Sequence, residues 1–356
     1  MLWLLLFAPV ALILDVMGGP APAVFFCAAV AIVPIAGLIV EGTEAISGYT
    51  GPAIGGLLNA TFGNLPELII AIVALRAGMV EMVRASLVGA LLANLLLGLG
   101  MAFLLGGMRF HVQDYNPLAA RAYASMMLLA VISMAIPSGF HRLFGAEQGL
   151  PHAWILDKSV ALVLLATYGL YLVYQLRTHK ESFAEEEKAG GETAGHAPHW
   201  SMARAAGTLV AASAAAAWMS EILVGAAEET GHALGMSPTF IGLVLLAIVG
   251  GAAETGSAIA MARRNKMDLS VGIALGSCIQ IALFVAPVLV LVGGLIGPKP
   301  FALMFGRGEL GFLFISVLLG GLVVTDGRSN WFKGVQLLAT YAMLAAVCYL
   351  IPAATP

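Results

Sequence analysis

Long apolar runs, separated by short polar or Gly/Pro breaks, occupy most of this chain. They fall near 2–18, 22–46, 51–75, 83–106, 118–137, 155–176, 205–229, 236–262, 268–296, 308–325 and 331–352. A bilayer-crossing helix needs about 20 apolar residues, and a run of that length satisfies its own backbone only as a helix or within a closed barrel. The pattern predicts an all-α polytopic membrane protein with about eleven transmembrane helices. Composition agrees, because 60% of the 356 residues are hydrophobic and 10% are charged, against about 25% charged in a soluble domain. A water-soluble globule is excluded.

The first run is apolar from Met1 to Gly18 and is followed by Ala21-Pro22-Ala23, superficially a signal peptide with its cleavage site. No Lys or Arg precedes it and Asp15 interrupts it, so a retained N-terminal helix over 1–18 is expected. Eleven of the 17 basic residues lie on loops after even-numbered runs: Arg109, Arg121, Arg177, Lys180, Lys188, Arg204, Arg263, Arg264, Lys266, Arg328 and Lys333. That bias predicts a multi-pass protein of the cell membrane with its N-terminus and central linker in the cytoplasm and its C-terminus outside. Along the sequence these cations come in ones and twos, which gives no footprint for nucleic acid or for anionic lipid. Nucleic acid is excluded as a partner. Cys27, Cys278 and Cys348 sit inside apolar runs without CxxC spacing and read as small buried hydrophobes.

One long hydrophilic segment, 177–204, divides the chain into 22–176 and 205–352. Glu181, Glu185, Glu186, Glu187 and Glu192, beside His179, His196 and His199, make it an acidic linker. A solvated tether is the ordinary reading of such a segment, and a divalent-cation sensor is the alternative. The two halves repeat. Gly63-Asn-Leu-Pro-Glu67 matches Gly250-Gly-Ala-Ala-Glu254, Arg76 matches Arg263, Glu81 matches Asp268, and the segment from Gly89 to Asn94 matches that from Gly276 to Ile281, all at an offset of 187 residues. Five runs per half insert the second copy upside down, so one N-terminal helix plus two inverted five-helix repeats is expected, the architecture of secondary transporters.

A carboxylate at mid-bilayer costs at least about 2.5 kcal/mol, so intramembrane acids mark function by default. Glu67 and Glu254 each lie in the middle of an apolar run. Gly63 with Pro66, and Gly250 with Gly251, weaken the helix just before each acid and free backbone carbonyls. Two carboxylates, carbonyls and the Asn64 amide form a hard-oxygen set suited to Ca²⁺ with its 6–8 ligands. No His or Cys is near, which argues against zinc. Asn94 and Gln280 occupy nearly equivalent positions on the following helix of each repeat, where they orient the carboxylates or act as interhelical glue. Glu41, Glu44, Glu221, Glu228 and Glu229 form a second tier nearer the span ends. Glu44 and Glu228 are its strongest candidates to line a cation-attracting funnel, with helix-end charge as the rival reading.

The stretch Gly56-Leu-Leu-Asn-Ala-Thr-Phe-Gly-Asn-Leu-Pro-Glu67 resembles the first repeat motif of calcium/proton exchangers, and Gly276-Ser-Cys-Ile-Gln-Ile-Ala-Leu-Phe-Val-Ala-Pro287 resembles their second. The resemblance spans nearly the whole chain. It implies Glu67 and Glu254 as the central cation and proton carriers, Asn64, Asn94 and Gln280 in support, and H⁺ as the counter-ion. The second copy departs from the family's Gly-Asn-Ala-Ala-Glu-His, having Gly251 for the Asn and Thr255 for the His. The expected function is export of Ca²⁺ from the cytoplasm in exchange for H⁺, with Mn²⁺, Na⁺ or K⁺ as alternative cargo. No resident cofactor is expected. An intramembrane enzyme is disfavoured, since neither a His-Glu-x-x-His nor a Gly-x-Ser-Gly string occurs. A channel would not need two opposed copies of a helix-break motif.

Overall fold

The computed structural model describes residues 2–50, 52–148, 153–179, 183 and 200–350, and helices account for nearly all of them. The acids Glu181, Glu185, Glu186, Glu187 and Glu192 of the linker, with His196 and His199, lie outside the described residues. In the first half, α1 (Phe7–Val16) is followed by α2 (Ala21–Thr50), α3 (Pro52–Phe62), α4 (Leu65–Arg76) and α5 (Val80–Leu92). A π-helical turn, Ala93–Gly98, carries α5 into α6 (Leu99–Phe110), and β1 (Val112–Asp114), α7 (Pro117–Gln148) and α8 (Ala153–Val173) complete this half. The second half runs through α9 (Met202–Gly225), α10 (Ala227–Leu234), α11 (Pro238–Gly250), α12 (Ala252–Ala262) and α13 (Met267–Gln280). A π-turn over Ile281–Val285 leads to α14 (Ala286–Ile296), then α15 (Arg307–Val324), β2 (Arg328–Asn330) and α16 (Trp331–Leu350).

Among the described residues, eight helices are long and apolar enough to cross a membrane, or nine if α10 and α11, bent by 116°, count as one span. The expectation was about eleven. The first run forms only the short apolar helix Leu2–Val16. The runs 51–75 and 236–262 are each cut in two, between α3 and α4 and between α11 and α12. Both cuts fall at the glycine-bearing segment before the motif acid. Large apolar side chains such as Leu170, Val210 and Leu322, each 70% exposed, face outward from the helices, as lipid-facing residues of a multi-pass membrane protein do.

The chain forms two compact units, each drawing on both halves: Met1–Gly89, Glu187–Ala253 and Ala345–Pro356 in the first, Ala90–Glu186 and Glu254–Leu344 in the second. Small residues hold the first unit together. A Cβ on Gly42 would come within 3.3 Å of the Ala205 carbonyl, so α2 and α9 lie close along their lengths. Gly89 of α5 rests on the Leu243 backbone and Gly242 rests on the Met82 carbonyl, so α5 and α11 cross backbone to backbone.

In the second unit α6 and α16 make the same kind of crossing, with Gly107 against Trp331 and Gly334 against Leu104 and Gly100. At its centre the Cys278 thiol donates to the Leu91 carbonyl at 3.5 Å, a contact between residues 187 apart. A buried hydrogen bond joins α7 to α8, where His141 Nε2 lies 3.0 Å from Asp157 Oδ2. Ser138 of α7 donates to the Leu303 carbonyl and accepts from the Phe305 N–H, and Arg142 donates to the Phe305 carbonyl. These bonds seat the irregular segment before α15, whose Phe301, Leu303 and Phe305 are buried.

One end of this unit carries a polar clasp. Strands β1 and β2 pair antiparallel, with Gln113 opposite Ser329. The Lys333 ammonium donates to both Asp326 oxygens at 2.6 and 2.7 Å. Partial burial opposes ionisation of Asp326, but hydrogen bonds from Lys333 and the Arg328 N–H, with the Lys333 charge, outweigh it and hold the carboxyl below its usual range.

Candidate functional site

In the first motif, α3 ends at Phe62 and α4 begins at Leu65, with Asn64 capping the new helix at φ −97°, ψ 25°. Pro66 occupies the first turn. It has no N–H to offer the carbonyl four residues back, that of Phe62, so the break is written into the covalent chemistry. In the second motif no proline is present and the two glycines do the work. Gly251 closes α11 at φ −80°, ψ 11°, and α12 starts at the next residue.

The consequence is the same in both copies. Glu67 is the third residue of α4 and Glu254 the third of α12, each in the first turn of a helix that starts inside the apolar run. Each is 8% exposed. A helix N-terminus favours a negative charge by about 0.3–1 kcal/mol, which falls short of the ~2.5 kcal/mol or more that a mid-bilayer carboxylate costs. A proton or a cation must supply the rest. Both Glu67 oxygens are buried without a hydrogen-bond partner, so the carboxylate has full capacity for either.

The remaining expected site residues divide between the units. In the first, Asn64 is 1% exposed and Gly63 precedes it at the break. Gly250 lies directly against Glu67, where a Cβ would stand 3.0 Å from Glu67 Cγ. Its role is therefore close approach to the acid of the other motif. Glu44 and Glu228 are both exposed, on α2 and α10, which pack together. In the second unit Asn94 is 1% exposed, with its Nδ2 buried and lacking a partner. Gln280, at the end of α13, is half-buried, and α13 packs against the Ala93–Gly98 turn.

Four π-turns occur among the described residues, at Ala93–Gly98, Tyr174–Thr178, Ile241–Leu246 and Ile281–Val285; Asn94 is the second residue of the first, and Gln280 immediately precedes the last. The first and last of these, Ala93–Gly98 and Ile281–Val285, fall at matching positions under the 187-residue offset, whereas Ile241–Leu246 has its counterpart inside the α-helix Pro52–Phe62. A π-turn shifts the backbone ladder by one residue and re-aims the side chains around it. Apolar periodicity carries no signal for it. A second missed feature is Thr255, which the motif comparison marks only as a lost histidine. Its hydroxyl lies 3.0 Å from where a Gly98 Cβ would stand, so the residue after Glu254 seats on the π-turn through a glycine. Among the described residues no group of three or more His, Cys, Asp or Glu is placed to hold a metal ion. Any cation bound here depends on carbonyl and amide oxygens beside the carboxylates.

A family model described as sodium/calcium exchanger protein matches residues 20–177 and 204–350, which is most of the chain on both sides of the linker. The chain belongs to the calcium/proton exchanger family. Among exchangers of this kind, it is 39% identical over 367 residues to the Ca(2+)/H(+) antiporter of Synechocystis sp., covering 98% of this chain and 96% of that one. It is 38% identical to the Ca(2+)/H(+) antiporter ChaA of Bacillus subtilis, covering 96% of each. The solved structure of native YfkE superposes with a TM-score of 0.83 at 35% identity over 99% of this exchanger and 100% of that chain. The H+/Ca2+ exchanger CAX, at 15% identity and a TM-score of 0.71 over 98% of this chain and 91% of that one, shares the fold.

Proposed function

We propose that this protein exports Ca²⁺ from the cytoplasm in exchange for H⁺ by alternating access, with Glu67 and Glu254 as the carriers. The observation that carries the reading is their common placement. Each is buried in the first turn of a helix that begins at a glycine-marked break. Ca²⁺/H⁺ antiporters among its relatives, at 38–39% identity over nearly the full chain, support the choice of ions. The two carboxylates bind one Ca²⁺ when ionised and take protons when the metal leaves, with Asn64 and the carbonyls near Gly63 and Gly250 completing the ligand set. Asn94 and Gln280 orient the carboxylates, and Glu44 and Glu228 draw cations toward them. Competition for the same oxygens supplies the coupling, because the empty, doubly ionised state is too costly to cross the bilayer.

The architecture we assign is one N-terminal helix, 1–18, two inverted five-helix repeats, 22–176 and 205–352, and the cytoplasmic linker 177–204 between them. Matched π-turns and the contact between Leu91 and Cys278, separated by the repeat offset, support it. The decisive experiment is uptake into proteoliposomes under an imposed pH gradient. Wild-type protein should accumulate Ca²⁺, and Glu67→Gln and Glu254→Gln, which keep shape and lose charge, should each fall to background. Substantial pH-driven Ca²⁺ flux in either variant would end the two-carboxylate model. Gly251, standing where the first copy has Asn64, favours a second reading in which the cargo is Mn²⁺, Na⁺ or K⁺. Running those ions beside Ca²⁺ in the same assay decides between them.

A further inference from the structure

The basic residues that come in ones and twos along the sequence do not stay apart in the second unit. Three turns of chain, 109–121, 262–268 and 325–333, are tied into a single surface. Arg109 donates to the Arg263 carbonyl at 3.0 Å, and the Gln113 amide donates to the Ala262 carbonyl and to Asn265 Oδ1, each at 2.9 Å. The Asn116 N–H donates to Asp268 at 2.6 Å. Arg121 donates to the Thr325 carbonyl at 3.4 Å, and Arg328 to Asp114 at 3.2 Å.

That surface holds seven cations, Arg109, Arg121, Arg263, Arg264, Lys266, Arg328 and Lys333, against the three carboxylates Asp114, Asp268 and Asp326. Each carboxylate is already engaged, Asp114 by Arg328, Asp268 by the Asn116 N–H and Asp326 by Lys333. An excess of four positive charges therefore faces outward, and every one of the cations except Lys333 is exposed. Apolar and aromatic side chains share the surface: Met108 is 67% exposed, Leu118 61%, Phe332 54% and Trp331 49%. Aromatic rings beside arginines are the chemistry of the membrane–water interface, where the ring sits at headgroup depth and the guanidinium meets phosphate. An excess of charge with an apolar rim fits a phosphate that carries its own acyl chains better than a free anion.

We propose that this end of the second unit binds the anionic headgroup of a membrane phospholipid. Which leaflet supplies the lipid rests on the topology proposed above, whereas headgroup binding does not. Each Lys or Arg near an anionic headgroup contributes about fivefold in affinity, so loss of two should cost roughly thirtyfold.

The test uses the full chain in detergent, with thermal unfolding followed during titration with short-chain phosphatidylglycerol, short-chain phosphatidylcholine or inorganic phosphate. Phosphatidylglycerol should raise the melting temperature saturably, and the other two should not. R263Q/R264Q should raise the half-saturating concentration roughly thirtyfold, whereas K299Q/R307Q, outside the three turns, should leave it unchanged. R264Q alone, at about fivefold, gives the same reading if the double variant does not fold. Equal shifts with phosphatidylcholine would assign the effect to acyl chains, and equal shifts with phosphate to a free anion. Unchanged affinity in the arginine variants, or an equal loss in K299Q/R307Q, would place the site elsewhere. Any of these results overturns the proposal, and none depends on transport activity.

Discussion

Gly250 shows how one missing side chain shapes an acid's surroundings. The Cα hydrogen of Gly250 faces Glu67, and a methyl there would press on Glu67 Cγ at 3.0 Å. Overpacking of this order costs about 1–3 kcal/mol and displaces the weaker partner, here a carboxylate arm without hydrogen bonds to hold it. Gly250→Ala should therefore fold, yet bind Ca²⁺ about tenfold more weakly, a loss near 1.4 kcal/mol. Isothermal titration on monodisperse protein checks this, and unaltered affinity would mean that Glu67 does not need its present position. The two helix breaks beside Glu67 and Glu254 were legible in the sequence because Pro66 and paired glycines are local signals. They cast Gly250 as freeing carbonyls beside Glu254. Its approach to Glu67, 183 positions away, is a tertiary fact that no local pattern encodes.

At the scale of helices, the apolar runs were legible and their integrity was not. A run such as 51–75 has the length and hydropathy of a span, and a Gly-Asn step costs it almost no apolarity while ending its hydrogen-bond ladder at Phe62. Close crossings give a sharper prediction. A Cβ on Gly89 would overlap the Leu243 carbonyl, which is backbone and cannot rotate away, whereas Gly139 and Gly169 have nothing within 4 Å of theirs. Gly89→Ala should abolish monodisperse protein on size-exclusion chromatography. Gly139→Ala and Gly169→Ala should leave it intact or stabilise it by about 0.5–1 kcal/mol, the helix-interior penalty of glycine. The α7–α8 hairpin offers another test. Its His141 and Asp157 side chains are 10% and 7% exposed, and removing one partner of a buried hydrogen bond leaves the other unsatisfied at a cost of about 1–3 kcal/mol, more for a charged group. His141→Ala should lower the thermal midpoint markedly, with Asp157→Asn/His141→Ala recovering much of the loss because no carboxylate is left stranded.

For the whole molecule, the proposed two-carboxylate exchange requires that protons and Ca²⁺ compete for the same oxygens. Protonated carboxyls present no anionic ligand, so apparent Ca²⁺ affinity should weaken as the medium is acidified. Binding measured at two pH values spanning titration of the glutamates checks this, and equal affinities would require a separate proton site. Family and fold class were legible from motif strings and apolar runs spread over the full length. The distribution of charge was not: Arg109, Arg263 and Arg328 lie in three unrelated sequence contexts and become neighbours only when β1 meets β2 and Gln113 reaches Ala262.

The bond from Cys278 to the Leu91 carbonyl has an implication for ancestry. Its two ends are 187 residues apart, so under the repeat relation each occupies the other's place. On the inverted-repeat architecture proposed above, such a contact would be the midline between the two copies: in a duplicated half-length ancestor, one position would have touched its own copy in a second chain. A thiol-to-carbonyl bond cannot be its own mirror, since one side must give and the other receive. On that reading, fusion of the two copies into one chain would be what allows that single position to carry leucine on one side and cysteine on the other.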